Sequence, residues 1–86
     1  MMTDKEKYKN MKKSITIKDE FIKLGQAMKL AGLSETGVDA KFSIEEGKVK
    51  VNGETELRRG KKLYNGDTFS FNGSEVTVLS KIEKDI

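Results

Sequence analysis

Between Leu57 and Leu63 the chain runs Arg58-Arg59-Gly60-Lys61-Lys62, four cations around one glycine with no acid interleaved. An arginine fork offers paired planar donors and a lysine ammonium a point charge, and both suit phosphate oxygens. Gly60 lets the backbone approach such a group closely, and the flanking leucines suit anchoring of the loop to a core. The run would also serve as a solvated loop that discourages edge pairing, but its cation density exceeds what solubility needs. Lys48 and Lys50 alternate with Val49 and Val51, so a strand there sends both ammoniums to the face opposite the valines. Continued toward the loop, that face makes a single positive stripe.

Other chemistry is poorly supplied. The chain has no histidine and no cysteine, which removes the commonest general base, the commonest metal ligand and the thiol nucleophile. An enzyme would have to run on Asp, Glu, Lys, Tyr or Ser, and no nucleophile–base pair of these stands at a recognisable catalytic spacing. The sequence therefore reads as non-catalytic, with no cofactor. Glu45-Glu46 lacks the aspartate-rich loop of a calcium site and reads as a solvated helix end. The glycines lack the strand–glycine–helix order of a phosphate loop. Net charge is only +3, so the distribution of charge matters more than its sum.

Eighty-six residues make one domain with a thin core. Residues 1–13 carry Lys5, Lys7, Lys9, Lys12 and Lys13 against Asp4 and Glu6, and read as a basic, poorly ordered arm. Such an arm either seeks phosphate or merely solubilises. No apolar run resembles a signal segment or a membrane span, so a cytoplasmic protein without a membrane partner is expected. Residues 14–18 alternate about Ile15 and Ile17 as a short strand. Asp19 is placed to cap a helix over residues 21–31 whose apolar stripe is Phe21, Leu24, Met28 and Ala31. Gly25 falls on that stripe and suggests close approach of another element, while Gly32 ends the helix.

The next segment admits two readings. Val38, Ala40, Phe42 and Ile44 alternate as a strand would, yet Thr36 with Asp39 resembles a capping box and Gly47 sits where a helix C-cap belongs. As a helix it has two apolar sides, Val38 with Phe42 and Ala40 with Ile44. Phe42 would then pack in the core or, if exposed, stack on an unpaired base. Tyr64 carries the same two readings. Asn52-Gly53, the Tyr64–Asp67 turn and Asn72-Gly73 separate short strands around Val49, Val51, Phe69, Phe71, Val76 and Val78. Residues 14–80 form the domain and residues 81–86 a charged tail. The order of strand, two helices and several strands makes an α+β fold.

Several of these pieces in order resemble a known family. Leu24-Gly25-Gln26-Ala27-Met28-Lys29, Ala40-Lys41, the run Gly47-Lys48-Val49-Lys50-Val51-Asn52-Gly53-Glu54, the cationic loop and Gly66-Asp67 are together similar to the S4-like RNA-binding domain, the module named after small-subunit ribosomal protein four. The likeness is greatest to its small stand-alone bacterial members. It implies two helices packed on a small bent, mostly antiparallel sheet (the alpha-L type of RNA-binding fold), with residues 36–46 helical. It implies structured RNA as partner, ribosomal or transfer RNA or a ribosomal particle, held by phosphate and shape contacts by a monomer. The residues so assigned are Lys29, Thr36, Lys41, Lys48, Lys50, Arg58, Arg59, Lys61 and Lys62. Many members open the first helix with Arg-Leu-Asp where this chain has Lys23-Leu24-Gly25, and the second with Ser-Arg where it has Thr36-Gly37. The alternative reading is a protein-interaction adaptor that docks a partner on Val38 and Phe42.

Overall fold

The computed structural model describes residues 11–82, in which seven strands and two short helices are joined by turns and loops. Strand β1 (Met11–Ile17) is followed by β2 (Phe21–Lys23), helix α1 (Leu24–Leu30), helix α2 (Gly37–Glu45), β3 (Lys50–Val51), β4 (Glu54–Thr55), β5 (Lys62–Tyr64), β6 (Thr68–Phe71) and β7 (Ser74–Ser80). Five strands form a mixed sheet in the order β1-β7-β6-β3-β4, and β2 pairs with β5 in a separate two-stranded ribbon. Only β1 and β7 run parallel; the other pairings are antiparallel. The α+β architecture read from the sequence, two helices against a mostly antiparallel sheet, is the one observed.

The helix ends follow from local chemistry. At α1 the backbone N–H of Gly32 donates to the Lys29 carbonyl and that of Leu33 to the Met28 carbonyl, and α2 repeats the pattern from Gly47 to Ile44 and from Lys48 to Ser43. This paired closure needs a left-handed residue just past the cap. Gly32 and Gly47 supply it at φ +79° each. At the start of α2 the Thr36 hydroxyl accepts the Asp39 N–H at 3.0 Å, so residues 37–45 are helical and not a strand. The two Asn-Gly pairs make two-residue hairpins, with Asn52 and Asn72 themselves at positive φ and Val51 opposite Glu54, Phe71 opposite Ser74.

Period-2 and period-3.6 faces meet in one core. Ile15 and Ile17 from β1, Leu24, Ala27 and Met28 from α1, Ala40 and Ile44 from α2, Val51, Leu63, Phe69, Val76 and Val78 from the strands are all buried. On α2 the side bearing Ala40 and Ile44 is fully buried while Val38 and Phe42 stay 61% and 59% exposed. Of the two apolar sides, the core takes the smaller.

Two boundaries differ from the sequence reading. The first strand begins at Met11 rather than Ser14, so Met11, Lys12 and Lys13 pair with Ser74, Glu75 and Val76 and are not part of an arm. Lys13 shares the inward parity of Ile15 and Ile17, and its ammonium donates to the Ala31 carbonyl at 3.1 Å. A cation there satisfies an orphan carbonyl at a helix C-terminus. Residues 1–10 of the expected arm and 83–86 of the expected tail lie outside the described residues. The first helix begins at Leu24, because residues 21–23 pair with β5, Phe21 opposite Tyr64. Asp19 therefore caps nothing, and Lys23 occupies the N-cap without a side-chain bond.

Candidate nucleic-acid interface

The uncapped start of α1 explains where the cationic loop sits. An α-helix leaves its first N–H groups without partners. Here the Leu24 N–H donates to the Lys61 carbonyl at 2.9 Å and the Gly25 N–H to the Arg59 carbonyl at 3.0 Å. The loop backbone thus replaces a side-chain cap, and it packs directly against Gly25. A Cβ built at Gly25 would stand 3.5 Å from Arg59 Cβ and 3.6 Å from its carbonyl oxygen. The element that comes near this glycine is the loop, at a distance an added Cβ would meet as ordinary van der Waals contact.

Docking of the loop opens a groove of ≈ 380 Å³ between the two helices and residues 59–60. It is lined by Lys23, Gly25, Gln26, Lys29, Gly37, Arg59 and Gly60. Lys23, Lys29 and Arg59 are exposed, and none of the three has an acidic partner among the described residues. A Cβ at Gly37 or Gly60 would meet nothing within 4 Å, so the walls there are bare backbone. Three unneutralised cations around an open, glycine-lined floor can hold phosphate groups, with the backbone able to come close to them.

The other side of the same loop is built differently. Arg58 is engaged by Glu56: its Nε donates to Oε2 at 2.9 Å and its backbone N–H to the same oxygen at 3.1 Å. The Arg58 guanidinium, hydrogen-bonded to this carboxylate, holds the Glu56 carboxyl below the usual carboxylate range. Gly60, Lys61, Lys62 and Tyr64 join Arg58 around a second depression of ≈ 500 Å³. Lys62 Nζ stands 4.8 Å from the centroid of the Phe21 ring, which meets Tyr64 at 5.7 Å between centroids and a 50° tilt.

The assigned residues fall into three sets. Lys29 and Arg59 line the first groove, and Thr36 caps α2 beside it. Arg58, Lys61 and Lys62 surround the second depression. Lys41, Lys48 and Lys50 line neither, and Lys48 is paired with Glu46 at 3.1 Å. Leu63 is fully buried and anchors the loop as expected, but Leu57 is 56% exposed and does not. The anchoring at that end comes from the Glu56 N–H, bonded to the Val49 carbonyl at 3.0 Å. Lys23 and Gln26 were not among the assigned residues. The signal for them was their place beside Gly25, the residue the loop backbone meets.

A family model of the S4 domain matches residues 15–79. The chain belongs to the S4 domain family. Among members of the family, YbcJ of Escherichia coli strain K12, named as a candidate RNA-binding protein, is 43% identical over 63 residues, spanning 73% of this chain and 90% of YbcJ. A Bacillus subtilis (strain 168) member named "Probable ribosome maturation protein RlbA" is 44% identical over 63 residues, 73% of this chain and 89% of that protein. The solution structure of YbcJ, described as revealing an alpha-L motif involved in RNA binding, superposes with a TM-score of 0.61 at 40% identity. That match covers 77% of this chain and 85% of YbcJ. The fold that the family resemblance implied is thus the fold of a solved relative.

Proposed function

We propose that this protein is a non-catalytic RNA-binding module that grips structured RNA through phosphates and shape, with the groove between α1, α2 and the Arg59-Gly60 segment as its main contact surface. The observation that carries the proposal is that Lys23, Lys29 and Arg59 converge on one groove with no acidic partner among the described residues. Unpaired surface cations gathered in a concave site attract a polyanion, and duplex RNA is recognised mainly by shape and by backbone contacts. Two relatives support the same reading: the motif of YbcJ is described as involved in RNA binding, and RlbA carries a ribosome maturation name. Ribosomal RNA, met in the cytoplasm during ribosome assembly, is the target class we assign.

Crosslinking the protein to RNA in cells, sequencing the attached RNA and mapping the crosslinked peptides tests both halves. The expected result is structured ribosomal RNA joined to peptides containing residues 23–29 and 58–62. Crosslinks scattered over messenger RNA, or confined to peptides away from the groove, would contradict it.

The exposure of Val38 and Phe42 favours a second reading, a protein adaptor docked on the outer side of α2. The two separate by salt: phosphate binding weakens steeply as counterions compete, whereas apolar docking hardly responds.

A further inference from the structure

The second depression, which shares only Gly60 with the groove, differs from it in holding an aromatic ring. Tyr64 remains 42% exposed although its neighbours are ordered around it. Its backbone N–H donates to Asp67 Oδ2 at 2.7 Å, its carbonyl accepts the Asp67 N–H at 2.9 Å, and the strand it ends is paired with β2. Its ring leans on Phe21, and Phe21 in turn holds the Lys62 ammonium over its face. The ring is therefore fixed in place yet open to solvent, beside Lys61, Lys62 and Arg58 in a depression of ≈ 500 Å³. That is within the ~300–1,000 Å³ of clefts that hold small ligands.

From this arrangement we infer that Tyr64 is a stacking platform for one unpaired RNA base, with Lys61 and Lys62 holding the phosphates that flank it. The inference rests on the RNA-binding reading above and adds to it a ligand class: a nucleotide outside the duplex, next to the paired RNA seated in the groove. An exposed aromatic ring bordered by cations is the arrangement by which proteins hold single-stranded nucleotides, since every base offers a π-face and every linkage a negative charge. A preordered ring also loses little freedom on binding. The helical groove offers no such platform, because its lining contains no aromatic residue. Paired and unpaired nucleotides would accordingly contact different residues of one loop, joined through Gly60, which lines both depressions.

The chain contains two tyrosines and no tryptophan, so in a Tyr8→Phe background Tyr64 is the sole source of tyrosine fluorescence. The probes are a blunt RNA duplex and the same duplex with a short adenosine overhang. The inference expects the overhang RNA to quench Tyr64 emission and to bind roughly ten-fold more tightly than the blunt duplex. Tyr64→Phe should keep that preference, and Tyr64→Leu, which retains an apolar contact with Phe21, should abolish it while leaving blunt-duplex affinity unchanged. If Tyr64→Leu does not fold, the quenching and the preference of the Tyr8→Phe protein decide by themselves. Equal affinity for the two RNAs with no quenching overturns the stacking platform and leaves the RNA-binding reading intact. Failure to bind either RNA overturns both.

Discussion

Arg58 and Arg59 are adjacent in sequence and unlike in circumstance. Arg58 already donates to Glu56, whereas Arg59 faces the groove beside Lys23 and Lys29 without an acidic partner. Arg59→Gln should therefore weaken RNA binding more than Arg58→Gln, as parallel binding titrations would show. Glu56→Gln should act in the opposite direction. Freed of its carboxylate, Arg58 becomes available to phosphate, and the log–log dependence of affinity on salt should steepen by ~0.7–0.9, the value of one added contact. The pH dependence has the same sign. Because the folded Glu56 carboxyl is held below its ordinary value, its pairing with Arg58 is complete at neutral pH and is lost only as pH falls through that lowered value. Gly37 offers a test from the other wall of the groove. A Cβ there meets nothing within 4 Å, so Gly37→Arg adds a cation at the groove from an open position. Tighter binding of structured RNA with a steeper salt slope is the expected outcome, measured against the parent protein. The composition of the loop was legible in the sequence, but which cations were free was not. Both Glu46–Lys48 and Glu56–Arg58 pair across two residues, a spacing that joins side chains only in extended or turning backbone.

At the scale of elements, the local signals read correctly where a few neighbouring residues decide the conformation. The Thr36 cap, the glycine past each helix and the Asn-Gly hairpins are of this kind. Gly47→Val should destabilise the fold by ~1 kcal/mol or more in a denaturant titration, since a β-branched residue tolerates a left-handed backbone poorly. The glycine's φ of +79° is the cause, because the nearest side-chain atom to an added Cβ lies at an ordinary 3.8 Å. Long-range partners were not legible. Phe21 is spaced for the apolar stripe of α1, but its partner is Tyr64, on a strand far along the chain, and pairing there takes residues 21–23 out of the helix. Met11, Lys12 and Lys13 look like a charged tail until β7 is placed beside them in parallel. A chain starting at Ser14 should consequently melt at a lower temperature than one starting at Met11, having lost three register pairs and the Lys13 bond to the end of α1.

For the whole molecule, the sheet and core serve to fix two backbones against each other, the start of α1 and the Arg59–Lys61 segment. Their two hydrogen bonds join strand, loop and helix into one surface. That surface carries cations on a rigid support while the net charge of the chain stays at +3, so local concentration of charge rather than bulk attraction must account for binding. The measurement that bears most directly on this is the affinity for a structured ribosomal RNA fragment over a range of salt, for the parent and for the folded triple variant Lys23→Gln, Lys29→Gln, Arg59→Gln. All three side chains are exposed, so each change should shift stability by no more than ~0.5 kcal/mol. If the groove holds phosphates, the variant binds far more weakly, and its log–log salt slope is shallower by ~0.7–0.9 for each contact removed. A folded triple variant with the parent's affinity and slope at every salt concentration would contradict the groove as the RNA-binding surface.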